Sequence, residues 1–155
     1  MSTELSPSAR IWLQIVMGRL GMTEAQREEC VAGAFVVIRE VTIEFLQPAY
    51  GDKSFVVARA AVGEVPPPGR CESLYQLALE VQGMLCGPHT PVLGLDWPAR
   101  TLLVSSSLDM STLGVEDAAA ILCSMQQTAL QWREAIARTK PCVQAAPAAQ
   151  AVNHL

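Results

Sequence analysis

The residues with which this chain could do chemistry are two histidines, five cysteines and a few adjacent carboxylates. Cys86-Gly87-Pro88-His89 has the spacing of half a metal site, but no second cysteine or histidine pair completes it, and Gly87-Pro88 is the chemistry of a helix stop. The other histidine, His154, stands in the last stretch of the chain. Ser105-Ser106-Ser107 lacks the flanking glycines of a nucleophile elbow, and no glycine-rich phosphate loop is present. Glu28-Glu29 and Glu116-Asp117 are neighbours in sequence, so on a helix they point in different directions and read as solvated faces and caps, not as an acid-base pair. A small enzyme working through Cys86 and His89 is the catalytic alternative; the expectation is no enzymatic activity, no cofactor and no metal.

A chain that does no chemistry of its own acts through surfaces, and its composition says which. It has 155 residues, 11 basic and 15 acidic, for a formal charge of −4; half are apolar, 5% aromatic and 17% charged. The length suits one domain with a single core. The charged fraction lies below the usual ~25%, which leaves apolar surface to be covered by a partner. With only two lysines, Lys53 and Lys140, there is no basic stripe to neutralise phosphates, so neither nucleic acid nor an anionic membrane is an expected partner. The apolar runs fall far short of the ~20 residues that span a bilayer, so no membrane insertion is expected. Ile11 to Met17 imitates the core of a signal peptide, but Gln14 interrupts it and Glu24, Arg27, Glu28 and Glu29 precede the cleavage-like Ala32-Gly33-Ala34, so no export signal is read. The cysteines, at 30, 71, 86, 123 and 142, are odd in number and mostly inside apolar segments, which fits a reducing cytoplasm.

The elements that must carry such surfaces follow from periodicity. From Ser8 to Leu20, Arg10, Gln14 and Gly18 recur every fourth residue while apolar residues cover the rest of the wheel, which predicts a helix with a wide apolar face, ended by Gly21. Thr23 to Glu29 reads as a solvated loop or short helical turn. Phe35 to Ile38, Val41 to Phe45 and Phe55 to Val62 predict antiparallel strands, with turns at Pro48 to Lys53 and a stiff connector at Pro66-Pro67-Pro68-Gly69. From Glu72 to Leu85, Leu74, Leu77, Ala78, Val81 and Leu85 share one helical face, and Tyr75, Leu79, Gln82 and Cys86 form a second stripe. Pro91 to Leu95 and Thr101 to Leu108 predict a hairpin around Asp96-Trp97-Pro98-Ala99-Arg100. Val115, Ala118, Leu122, Met125, Ala129, Trp132 and Ile136 alternate by three and four, which predicts a long helix with acids at its start and bases at its end. The expected fold class is α+β: one domain over residues 1–140, in the order α-β-β-β-α-β-β-α, its antiparallel sheet packed against helices, with residues 141–155 a disordered tail.

That order, the helix ending at Gly87-Pro88, the hairpin Pro91-Val92-Leu93-Gly94-Leu95-Asp96 to Thr101-Leu102-Leu103-Val104, the Gln131-Trp132-Arg133-Glu134 segment and the opening helix ending in Arg19-Leu20-Gly21 together resemble the class I type III secretion chaperones typified by the CesT and SycE families. The resemblance covers most of residues 8–138, and among the members the broad-specificity effector chaperones of plant pathogens are the nearest in overall character. Two features depart from the family: Met22 to Ala32 is a longer charged insertion than its usual link, and no turn chemistry marks Arg39-Glu40. The resemblance implies a cytoplasmic homodimer that holds the N-terminal segment of an effector extended, by strand addition and apolar pockets, and delivers it to the secretion ATPase without hydrolysing ATP itself. It also implies a client groove from Ile11, Trp12, Ile15 and Met17 of the first helix with Leu93, Leu95, Leu102 and Val104 of the hairpin, and a dimer contact through Tyr75, Leu79 and Gln82. The alternative is a small dimeric α+β regulatory or immunity-type protein that binds one folded partner.

Overall fold

The computed structural model describes residues 4–48, 54–67, 69, 71–84, 87 and 89–139. Within them run α1 (Pro7–Arg19), α2 (Glu24–Gly33), β1 (Phe35–Ile38), β2 (Val41–Leu46), β3 (Phe55–Glu64), α3 (Glu72–Met84), β4 (Val92–Asp96), β5 (Thr101–Asp109) and α4 (Val115–Thr139). The strands form one antiparallel sheet in the order β1-β2-β3-β5-β4, so β1 and β4 are its two edges. The α+β class with its antiparallel sheet is the predicted one. The tail beyond Lys140, the turn over 49–53 and Cys86 lie outside the described residues.

The element order gains one helix: the segment expected to be a solvated loop or short turn is α2. Its start is a reciprocal cap, in which Thr23 Oγ1 accepts the amide of Gln26 and Gln26 Oε1 accepts the amide of Thr23 at 2.9 Å. Cys30 and Val31 are its buried residues, and Ala34 ends it in a left-handed conformation, φ 54°. The missing turn signal at Arg39-Glu40 also has a physical answer. Ile38 pairs with Val41, and both intervening residues hold positive φ, 43° and 70°, as a two-residue hairpin requires, without the asparagine and glycine that usually supply it.

The helices cover one face of the sheet. Val36, Val41, Ile43, Phe45, Val56, Ala58, Ala60, Leu102, Val104 and Leu108 point into that face, and all are buried. Against them packs α4, whose Ala118, Leu122, Met125, Ala129, Trp132 and Ile136 are buried at the predicted spacing. The opposite face carries Val37, Thr42, Glu44, Arg59 and Ser107, with Arg59 and Glu44 paired at 2.8 Å. At one corner the β2–β3 ladder stops at Ile43–Ala60 and the β3–β5 register shifts between Ala61 and Gly63. Arg133 of α4 occupies this fork: Nε donates to the Val62 carbonyl (3.0 Å), Nη1 to that of Glu40 (3.2 Å) and Nη2 to that of Ala61 (3.3 Å). The guanidinium thus meets the acceptors that a continued ladder would have satisfied.

Candidate binding surfaces

The wide apolar wheel of α1 is divided in two by what lies behind it. Ser6 caps the helix, accepting the Ala9 amide, and its own amide is tied to the buried Gln47 at 2.7 Å. Ala9, Leu13, Val16 and Met17 then enter the core, while Ile11 and Ile15 are 61% and 48% exposed and Trp12 is half-buried. Between α1 and α2 runs a groove of about 380 Å³, floored by Pro7, Ile11, Val31 and Ala32 and flanked by Arg10 and Glu28. The helices approach closely because Gly18 faces Arg27; a Cβ there would lie 3.3 Å from Nη1.

The predicted client-groove residues therefore separate. Ile11, Trp12 and Ile15 lie on the outer side of α1, but Met17 is wholly buried, as are Leu102 and Val104 on the helix-covered face of β5, and these three have no surface to offer a client. Leu93 and Leu95 pair with Val104 and Leu102 and are partly buried on the same inward face. Period-two alternation told which hairpin residues share a face, and the helices decide that this face is the core. The structure does not bring the hairpin leucines and the outer side of α1 into one groove.

At the β4 end of the sheet, α3 is held lightly. Leu74 is its one buried residue among those described, whereas Leu77, Leu79 and Met84 are exposed, Leu79 by 74%. Of the predicted dimer contact, Leu79 is open and Tyr75 half-buried, its phenol held above its ordinary range by a hydrogen bond to Cys71, with burial adding to the effect. Gln82 faces inward instead: its Oε1 accepts the Leu93 amide of β4 at 2.8 Å. Val92 on β4, on the uncovered face of the sheet, and Trp97 at the hairpin tip are exposed as well. Sequence reasoning gave these two no role and placed Leu77 inward on its three-four spacing; the paucity of core-facing residues on α3 was not legible in that pattern. The tip is firmly seated, since Val65 and Arg100 exchange two bonds of 2.8 Å, one through the Arg100 guanidinium.

The reactive side chains are scattered. Cys30 and Cys71 are buried, and burial, then the charge of Glu29, pushes the Cys30 thiol up, which makes it a poor nucleophile. His89 is exposed with φ 68°. No cluster of three histidines, cysteines or carboxylates stands together among the described residues. What the geometry offers is apolar area and an open sheet edge, the means of holding another chain.

No protein-family profile and no curated protein matches this sequence. Solved structures do. The ExsC–ExsE complex superposes with a TM-score of 0.59 at 18% identity, covering 90% of this chain and 98% of that one. The Yersinia pestis type III secretion chaperone SycH, in complex with a fragment of YscM2, gives 0.58 at 18% identity over 79% and 98%. The ExoT–SpcS complex from Pseudomonas aeruginosa gives 0.56 at 13% over 82% and 98%. The fold is thus that of the class I type III secretion chaperones, as the resemblance implied.

Proposed function

We propose that this protein is a type III secretion chaperone that binds the N-terminal segment of an effector in an extended form and keeps it fit for export. The observation that carries the reading is the juxtaposition of an open strand edge with an apolar helix face. The Ala34 carbonyl accepts from Phe45, so alternation turns the N–H and C=O of Phe35 and Val37 outward along β1, where no side chain among the described residues is bonded to them. On the opposite side of α2, which leads into that strand, Ile11 and Ile15 stand exposed beside the α1–α2 groove. An extended client gains main-chain hydrogen bonds from the edge and apolar burial from the helix. The solved structures of the same fold are each a complex with a second protein, which supports the reading that this fold holds another chain.

The same reading makes the protein a cytoplasmic homodimer, joined through Leu79 and Met84 with Tyr75 at the margin, that passes its client to the secretion ATPase without catalysis of its own. The test is co-expression with the first ~100 residues, about a domain's length, of effectors encoded nearby. The wild type should retain one such segment through purification, and Ile15→Asp should lose it while keeping its melting temperature within a few degrees, as expected of an exposed position. Retention of no segment by the wild type, or undiminished retention by Ile15→Asp, refutes the reading.

A further inference from the structure

The two edges of the sheet are not alike. On β4 the Leu93 N–H points away from β5, because Gln82 of α3 accepts it at 2.8 Å. Alternation puts Pro91 and Leu95 on the same outward side, and Pro91, immediately before the strand, has no N–H. Of the three outward positions from Pro91 to Leu95, one lacks a donor and one has its donor occupied. An arriving strand would find a single free amide there, at Leu95. On β1 the outward amides of Phe35 and Val37 meet no such cover among the described residues.

We propose that Gln82 is an edge guard. By accepting the Leu93 N–H, with Pro91 beside it, it denies the β4 edge to extended chains and confines strand addition to β1. The requirement is acute for a sheet that must accept one strand without polymerising through its other edge, since unpaired edges template association. The guard also explains why a glutamine sits amid the apolar residues of α3: a leucine would pack on β4 equally well but leave the amide open. Gln82 is a positioning residue, and the inference rests on the sheet geometry, not on the identity of any client.

The full chain tests it without an effector. In amide exchange followed by NMR, Leu93 should exchange about fivefold to tenfold faster in Gln82→Leu than in the wild type, the effect of losing one hydrogen bond, and at the wild-type rate in Gln82→Glu, which keeps an acceptor. Light scattering over a concentration series should show Gln82→Leu assembling beyond the wild-type mass, Gln82→Leu with Pro91→Ala further still, and Gln82→Glu not at all. An unchanged Leu93 rate in Gln82→Leu overturns the proposal. So does faster exchange with no larger assembly, which would make the bond only a fastening of α3. If Gln82→Leu does not fold, Pro91→Ala alone, which adds a donor without touching α3, should raise assembly above the wild type, and no rise counts against the guard.

Discussion

Two helices lie on the same side of this sheet and use it differently. α4 buries Ala118, Leu122, Met125, Ala129, Trp132 and Ile136 along one face, and its Arg133 reaches through to the strand backbones. α3 buries Leu74, leans on β4 through Gln82 and exposes Leu77, Leu79 and Met84. The core takes little from α3, and the apolar residues of that helix are mostly left exposed. Apolar periodicity alone does not separate a helix that closes a core from one that waits for a partner; the number of neighbours behind it does.

Substitutions can break that contrast. The largest effect belongs to α4: Leu122→Ala should lower stability by about 2–5 kcal/mol in urea unfolding, the range for a buried leucine that leaves a cavity. Next comes the cap of α2, where Thr23→Ala should cost about 1 kcal/mol by the same measurement, because the Gln26 amide loses the Thr23 hydroxyl that accepts it. Smaller still on the isolated protomer is Leu79→Ala, within about 0.5 kcal/mol when measured below the concentration of self-association, although it should weaken that association in sedimentation. If Leu79→Ala destabilises the dilute protein as much as Leu122→Ala, α3 is a core helix and the contrast fails. The least effect comes from Asp109, whose carboxyl is held below its ordinary range chiefly by the Ser111 hydroxyl and then by its amide. A depressed carboxyl pKa stabilises the fold above the ordinary carboxylate range and loses that contribution as pH falls through the folded value. Ser111→Ala should therefore flatten slightly the loss of stability on acidification, read from melting temperatures between neutral pH and the acid limb.

The fold was legible where a single period ran long enough. The alternating threes and fours from Val115 to Ile136 located α4, and the proline-aspartate turn after Leu95 located the hairpin. What stayed hidden was α2, because its charges masked Thr23 and Gln26, whose spacing of three was the signal for a helix start. The surfaces were legible only in part. Seven apolar residues on α1 allowed either side to be the core; α1 packs against α4 with Leu13, Val16 and Met17 in the core, which leaves Ile11 and Ile15 outside. Likewise Leu102 and Val104 were correctly grouped on one face but taken as open, since a sheet's sequence states its alternation and not which face its helices will cover.

The guanidinium in the fork also bears on the order of events during synthesis. Glu40 and Arg133 are 93 positions apart, so every strand leaves the ribosome before the side chain that completes the corner between β2 and β3. Until α4 arrives, the nascent sheet has three carbonyls uncovered at that corner, so the join between β2 and β3 is finished only after all five strands have been made.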